Sequence, residues 1–257
     1  MRRLFVSDVH LTPRRPERTA RFLAFLAREA RAADELYILG DLFDFWIGPK
    51  HLGQPDYGDA LEALRRLTSD GVRAYFVLGN RDFYMEGFEG ATGVRVVPGR
   101  TEHEIAAGGR RVYLCHGEYL EGRRGFWRNV QEFIRSRVVE WAYTRLPGWW
   151  AKRGARFYRW VSERRFLPRR RRPPRSIALS DALVAERFCA GADVIVCGHV
   201  HRAEERAYTV DGRAKTLLTL GDWSDRPNWL VEEDGRWELR EHPAEPTAEP
   251  SAGGNGT

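Results

Sequence analysis

Short apolar runs recur along the chain, and each ends abruptly in glycine, aspartate, histidine or asparagine. The runs are rich in valine, leucine, isoleucine, tyrosine and phenylalanine, which is the composition of strands buried inside a sheet. They occupy residues 4–6, 36–39, 74–78, 112–115, 194–197 and 216–220. The pattern therefore predicts buried strands that run into polar loops.

Between several of these runs the apolar residues change to the spacing of an amphipathic helix. Two such segments cover residues 18–32 and 59–67. Their apolar positions are Phe22, Phe25, Leu26, Ala60, Leu61, Leu64 and Leu67. Alternation of strands with helices predicts an α/β fold. In such folds the functional site is built by loops at the carboxyl ends of the strands.

The polar residues at the strand ends are of the kinds that bind metal ions. They are Asp8, His10, Asp41, Asn80, Asp82, His116, His199 and His201. A mixed set of oxygen and nitrogen ligands suits manganese, iron, zinc or a similar divalent ion. Asp8 and His10, like His199 and His201, are spaced i, i+2, so we expect each pair to point the same way along an extended backbone.

All of these side chains except Asp82 are candidate metal ligands, and seven ligands suit two ions that share a carboxylate. Two ions about 3.5–4 Å apart clamp the attacking and leaving oxygens of a phosphoryl displacement. Gly40, Gly79 and Gly198 precede three of the ligands and permit sharp turns and close approach. A single Asp or His at a strand end is more often a cap or turn residue, but their succession favours a two-metal phosphoesterase.

These motifs also carry a family resemblance. Asp-x-His, Gly-Asp, Gly-Asn-x-Asp, His-Gly and Gly-His-x-His, in this order, resemble the calcineurin-like metallophosphoesterases from about Leu4 to Trp223. The resemblance implies a four-layer α/β (α+β) fold, a double β-sheet sandwich flanked by helices. It assigns one ion to Asp8, His10, Asp41 and His201, and the other to Asp41, Asn80, His116 and His199. Asp41 is then the bridge, and water activated by the two cations is the nucleophile.

Further motifs narrow the resemblance to one subfamily. Many members carry histidine after the asparagine of Gly-Asn-x-Asp, whereas this chain carries Arg81. This substitution, with Gly-Asp-Leu-Phe-Asp-Phe-Trp-Ile-Gly over residues 40–48 and Gly-Asp-Trp over residues 221–223, is similar to the UDP-2,3-diacylglucosamine hydrolases of lipid A biosynthesis. Those enzymes split a pyrophosphate into UMP and 2,3-diacylglucosamine 1-phosphate (lipid X). The resemblance implies this reaction and two divalent ions, with Mn²⁺ expected.

The same resemblance gives roles to residues near the attacked phosphate. Asn80 and Arg81 are the expected catalytic residues, and both bind substrate together with His199. A guanidinium can fork onto phosphate oxygens and stabilise the charge of the transition state. The alternative for Arg81 is a surface salt bridge to Asp82 or Asp44.

Charge and cysteine content limit the partners and the compartment. The formal net charge is +6, which favours anions such as nucleotides, phosphates and acidic lipid headgroups. Cys115, Cys189 and Cys197 have neither zinc-finger spacing nor the even count of a disulfide framework, which favours a reducing compartment. No apolar stretch approaches the roughly 20 residues of a spanning helix. We therefore expect a cytoplasmic protein that is soluble or lies on a membrane.

Residues 121–175 interrupt the strand pattern with a basic, aromatic segment that contains four arginines in a row at 169–172. Apolar residues at helical spacing are Phe126, Val130, Phe133, Ile134, Val138 and Trp141. Basic helices with aromatic residues on one side commonly lie in a membrane interface. We expect a helical lid that accepts acyl chains and contacts an anionic surface, the cytoplasmic face of the inner membrane. The alternative is core packing of the aromatic residues and solvated arginines.

Other functional classes are compatible with parts of this pattern. Basic residues mixed with aromatic ones also suit single-stranded nucleic acid, so a metallophosphodiesterase or nuclease acting on another substrate is the alternative. Arg81 and the Gly-Asp-Trp motif make nucleic acid the less favoured partner, and the complete ligand set disfavours a binding module without turnover. We expect one domain over 1–242, with the lid at about 121–175, and a disordered tail over 243–257. The sequence carries no signal for a particular oligomeric state.

Overall fold

A computed structural model describes residues 1–53, 55–98, 101–122, 133, 139, 178–224 and 226–241. The strands are β1 Arg2–Val6, β2 Glu35–Leu39, β3 Trp46–Ile47, β4 Arg73–Val77, β5 Asp82–Phe83, β6 Arg95–Val96, β7 Glu102–Ala107, β8 Arg110–Cys115, β9 Val194–Cys197, β10 Glu204–Val210, β11 Arg213–Thr219, β12 Asn228–Glu233 and β13 Arg236–Glu241. The helices are α1 Pro16–Arg28, α2 Pro55–Ser69, α3 Phe88–Thr92 and α4 Asp181–Cys189, with 3-10 turns at Ala30–Ala32 and Gly48–His51. All six strands predicted from the apolar runs are present.

Most of the strands form two sheets. One sheet has the order β13-β12-β1-β2-β4-β6 and the other has the order β10-β11-β9-β8-β7, while β3 and β5 pair separately. In the first sheet β1, β2 and β4 run parallel, and in the second β8, β9 and β11 run parallel. Because the carboxyl ends of parallel strands meet at one edge, the loops that follow each group lie side by side.

The central strands are buried on both faces because successive side chains point to opposite sides of a sheet. In β1, Leu4 and Val6 belong to one core and Phe5 to a second. In β8, Leu114 belongs to the second core and Cys115 to a third. The first core includes residues of α1 and α2, the second fills the space between the sheets, and the third includes residues of α4. This arrangement confirms the predicted double β-sheet sandwich flanked by helices.

The first helix shows how the sequence pattern becomes packing. Helix α1 starts at Pro16, a residue that suits the first helical position because it has no N–H to leave unpaired. Phe22 and Phe25 are buried and contact Trp223, with ring centroids 5.9 and 5.5 Å away. The Gly-Asp-Trp motif therefore contributes a core residue to the layer between α1 and the first sheet.

The predicted lid and tail lie almost entirely outside the described residues. Within the insertion the structure describes Phe133 and Val139, which are both helical, and 67% of Phe133 is exposed. No helix in the described part of the chain is long and apolar enough to cross a membrane. The domain boundaries at 1–242 and 243–257 remain predictions.

The two ends of the insertion are held together where they join the second sheet. The Ser180 N–H donates to the Leu120 carbonyl at 2.8 Å, and Glu121 pairs with Leu179 in an antiparallel bridge. We call Leu120, Glu121, Leu179 and Ser180 the insertion base. This base follows β8 by a few residues, so it lies close to the loop that carries His116.

Candidate metal centre

The predicted ligands collect at the carboxyl ends of five strands from both sheets. Asp8 and His10 follow β1, Asp41 follows β2, Asn80 follows β4, His116 follows β8, and His199 and His201 follow β9. Five of these residues are buried, Asn80 is half-buried and His201 is exposed. The sheet topology thus brings together residues from widely separated parts of the sequence.

The backbone at these residues is left-handed, not extended. The angle φ is 53° at Asp8, 51° at His10, 53° at Asp41, 68° at His199 and 55° at His201. Our expectation of an extended backbone for the i, i+2 pairs is therefore wrong, because the chain turns sharply at both members of each pair. Asp8 Oδ1 and His10 Nε2 nevertheless lie 3.6 Å apart. Left-handed residues other than glycine are uncommon and concentrate at functional sites.

Glycines allow the ligand loops to approach one another closely. Gly40 has a φ of +81°, and a Cβ there would lie 2.5 Å from Gly79 Cα and 2.9 Å from His116 Nδ1. Any larger residue at position 40 would push apart the loops that carry Asp41 and Asn80. The predicted close approach at these glycines is confirmed.

Asp8 is the centre of the cluster. Its Oδ1 lies 3.3 Å from His201 Nε2, 3.6 Å from His10 Nε2 and 4.0 Å from His116 Nε2. Asp8 Oδ1 and His10 Nδ1 are both buried and make no hydrogen bond to the described residues. Because buried polar atoms without partners are rare, the residues present fit a divalent ion that would satisfy them.

The candidate ligand atoms form two groups within which all atoms lie within 4.8 Å of one another. One group is Asp8, His10 and His201, and the other is Asp8, Asp41 and His116. Asp41 belongs to the second group, with its Oδ1 3.7 Å from His116 Nε2, and also lies near the first, with its Oδ2 4.0 Å from His10 Nδ1. Both carboxylates therefore occupy positions from which they can bridge two ions.

Asn80 and His199 lie on the His116 side of the cluster. Asn80 Oδ1 is 2.9 Å from His116 Nε2, and the rings of His199 and His116 have centroids 5.1 Å apart. The backbone N–H of His199 donates to Asp8 Oδ2 at 2.8 Å. His199 Nε2, however, faces Glu121 Oε2 at 3.2 Å. No motif in the sequence indicates a role for Glu121.

His116 carries a proton that a metal ion would replace. Its Nδ1 lies 2.9 Å from the Leu39 carbonyl, so this nitrogen is an N–H donor and Nε2 is the nitrogen left for a ligand. Burial lowers the pKa of His116, but the carboxylates of Asp41 and Asp8 outweigh burial and raise this pKa to about 9. In the metal-free protein His116 is therefore positively charged at neutral pH.

Two neighbouring groups, His10 and Asp8, are held in the forms that bind metal ions. Burial, opposed by Asp8 and reinforced by Arg81, lowers the pKa of His10 well below its usual value, so its imidazole is neutral. Burial works to raise the pKa of Asp8, but His116 and His201 outweigh it and lower this pKa, so the carboxylate is ionised. A neutral imidazole and an ionised carboxylate are the species that coordinate divalent ions.

Arg81 extends over the cluster and also makes one of the two salt bridges considered from the sequence. Its Nη1 donates to Asp44 Oδ1 at 2.7 Å, and its Nε lies 3.4 Å from Asp41 Oδ2. The side chain is 30% exposed, and both of its hydrogen bonds to Asp44 are made by Nη1. The salt bridge to Asp44 thus fixes the partly exposed guanidinium beside the cluster.

Asp82 does not pair with Arg81 but ties two ligand loops together. Its Oδ2 accepts hydrogen bonds from the backbone N–H groups of Asp41, at 2.7 Å, and Gly79, at 2.9 Å. Burial and the nearby charge of Asp41 raise the pKa of Asp82 to about 7. The Gly-Asn-x-Asp motif contains this residue, but its partners follow only from the fold.

Comparison with known proteins defines the class. A family model described as calcineurin-like phosphoesterase matches residues 1–203. The chain therefore belongs to the calcineurin-like phosphoesterase family, as the motifs predicted, and is a metal-dependent hydrolase. Among solved structures it is similar to a Vps29 double mutant from Entamoeba histolytica, with a TM-score of 0.43, 16% identity and coverage of 94% of this chain and 98% of that one.

Within the family, the chain is similar to curated proteins named UDP-2,3-diacylglucosamine hydrolase. The protein from Aeromonas hydrophila subsp. hydrophila is 32% identical over 246 residues, which cover 94% of this chain and 99% of that protein. The protein from Pseudomonas paraeruginosa is 34% identical and the match covers 90% of this chain and 94% of that protein. The protein from Stenotrophomonas maltophilia is also 34% identical, with coverage of 93% and 98%.

Proposed function

We propose that this protein hydrolyses the pyrophosphate bond of UDP-2,3-diacylglucosamine to give UMP and 2,3-diacylglucosamine 1-phosphate, a reaction of lipid A biosynthesis. The observation that carries the proposal is similarity over nearly the whole chain to hydrolases of that name. The cluster of carboxylates and imidazoles at the strand ends supports the same reaction type.

When bound, two divalent ions, Mn²⁺ in this proposal, would supply positive charge that lowers the pKa of water and neutralises the phosphates. Asp8, His10, Asp41 and His201 would hold one ion, and Asp41, Asn80, His116 and His199 would hold the other. Asp8 and Asp41 are the carboxylates of this set, so they offset only part of the charge of two divalent cations. The centre therefore keeps a net positive charge that attracts a diphosphate.

Arg81 and Asn80 bind the attacked phosphate and stabilise its charge, with His199 beside them. Asp44 holds Nη1 of Arg81 at 2.7 Å, which fixes the guanidinium plane and directs the remaining N–H groups to the substrate. Asn80 turns its Oδ1 toward His116, so its Nδ2 is available as a donor. Donors fixed before the reaction stabilise developing charge without reorganising.

The acyl chains of this substrate require contact with a membrane or a micelle. We propose that the protein acts peripherally on the cytoplasmic face of the inner membrane, with the insertion at about 121–175 as a lid on the acyl chains. The net charge of +6 supports attraction to an anionic surface. The exposed, helical Phe133 supports apolar contact there.

The test is UMP release by the Mn²⁺-loaded protein from UDP-2,3-diacylglucosamine in detergent micelles. UDP-N-acetylglucosamine, which has no acyl chains at these positions, and single-stranded DNA are assayed in parallel. Release of UMP from the diacylated substrate alone is the expected result. Cleavage of DNA or of a simple phosphodiester, without UMP release, would keep the two-metal chemistry and refute the substrate.

A further inference from the structure

Glu121 makes a contact with a predicted metal ligand that no family motif in this chain includes. Its Oε2 lies 3.2 Å from His199 Nε2, within hydrogen-bonding distance. Both side chains are shielded, since 20% of the Glu121 side chain and 10% of the His199 side chain are exposed. A shielded carboxylate–imidazole hydrogen bond is worth more than an ion pair on an open surface.

The backbone of Glu121 is fixed independently of this contact. Glu121 pairs with Leu179, and the neighbouring Leu120 carbonyl accepts the Ser180 N–H at 2.8 Å. The backbone of His199 is fixed in turn, because its backbone N–H donates to Asp8 Oδ2 at 2.8 Å. The carboxylate and the imidazole therefore meet between two anchored segments, so the hydrogen bond requires little additional ordering of the backbone.

His116 and His199 are oriented in the same manner. His116 places Nδ1 against the Leu39 carbonyl at 2.9 Å and leaves Nε2 for a ligand. His199 places Nε2 against the Glu121 carboxylate and leaves Nδ1. In both imidazoles one ring nitrogen faces a fixed acceptor, which holds a proton there and leaves the other nitrogen as the one that would coordinate a metal ion.

We propose that Glu121 is a positioning residue that holds the His199 ring and its tautomer for the metal ion assigned to Asn80, His116 and His199. This inference rests on the two-metal function proposed above. Because Glu121 belongs to the insertion base, it also connects that base to a residue that would hold one metal ion. The other ion, assigned to Asp8, His10 and His201, has no contact of this kind with the described insertion base.

The test compares Mn²⁺ binding by calorimetry in metal-stripped wild type, Glu121→Ala and Glu121→Gln. Asp181→Ala is the matched control, because it removes a carboxylate near the insertion base whose partner is the Tyr208 hydroxyl at 2.7 Å. Wild type and Asp181→Ala are expected to bind two ions alike. Glu121→Ala is expected to bind one ion normally and the other about 10–100-fold more weakly. Glu121→Gln keeps an acceptor oxygen and is expected to recover most of that loss.

Electron paramagnetic resonance provides a second measurement. At two equivalents of Mn²⁺, Glu121→Ala should show the hyperfine pattern of an isolated ion beside the broadened signal of the coupled pair. Two ions bound by Glu121→Ala as tightly as by wild type would refute the role of Glu121, and so would equal weakening of both ions. Failure of wild type to bind two ions would instead refute the proposed function. If Glu121→Ala does not fold, Glu121→Asp decides, because its shorter carboxylate should weaken the same single ion.

Discussion

Metal binding should expel a proton from His116, and the structure determines the size of this effect. The pKa of His116 is raised to about 9 because Asp41 and Asp8 outweigh burial, so the imidazole is almost fully protonated at pH 7. An ion at Nε2 must displace that proton. Each pH unit below the pKa lowers the apparent metal affinity about tenfold, or by about 1.4 kcal/mol. Between pH 9 and pH 7 the loss is therefore about 100-fold, or about 3 kcal/mol.

Calorimetry of MnCl₂ with the metal-stripped protein, in buffers of different ionisation enthalpy, measures the protons released. At pH 7 we expect about one proton from His116, and an affinity about tenfold higher at pH 8 than at pH 7. An imidazole titration by NMR, with the resonance assigned by its loss in His116→Asn, should have a midpoint of about 9. His103→Gln is the control, since burial lowers the pKa of His103 and it is not among the candidate ligands.

The same raised pKa has a consequence for the stability of the metal-free protein. The protonated form of His116 is favoured by folding, so its contribution is fully present below the unfolded pKa of 6.5 and is lost as the pH rises through about 9. The free energy of unfolding should fall by up to about 3 kcal/mol over this interval. A metal affinity independent of pH, with an NMR midpoint near the unfolded value, would refute this account of the electrostatics.

Three further predictions follow from the site. Asp41→Ala removes a carboxylate that lies near both ligand groups. Loss of a ligand's hydrogen-bond partner typically lowers activity by up to ~100-fold, so loss of the ligand itself should lower turnover by more than this, with the circular dichroism unchanged. Arg81→Lys loses the planar fork, and kcat should fall by about 100-fold while calorimetry shows unchanged Mn²⁺ affinity. Asp82→Ala removes the buried acceptor of the Asp41 and Gly79 N–H groups, and urea denaturation should show a loss of about 3 kcal/mol, much of it restored in Asp82→Asn. Near-normal turnover in a double variant of Asp41 and His10 would overturn the assignment of the site.

The six strands that the sequence predicts are largely buried on both faces. Their apolar runs are continuous because each face contacts a separate core, as Phe5 and its neighbours Leu4 and Val6 show. Strand β10 is different, since half-buried and exposed residues alternate along Glu204–Val210. Its side chains are mostly polar, so no apolar run marks it. Helix α4 is likewise missed, because it is short and its buried residues are only Val184 and Phe188.

The identity of the candidate ligands follows from the sequence, but their orientation does not. Residue type and position after a strand identify Asp8 or His199, since topology brings strand ends together. The left-handed backbone at these residues depends on how each loop packs against its neighbour. Glu121 is 78 residues from His199 and belongs to no recognised motif, so only the fold brings it to the imidazole.

The left-handed backbone at the candidate ligands places catalysis in conflict with heat tolerance. Each non-glycine residue in this conformation costs about 1 kcal/mol, and five of the seven candidate ligands adopt it. Glycine at His10 or His201 would relieve the strain and remove a ligand at the same time. Directed evolution that selects only for survival at high temperature should therefore enrich inactive variants at these positions. Selection for a stable enzyme must screen for turnover in every round.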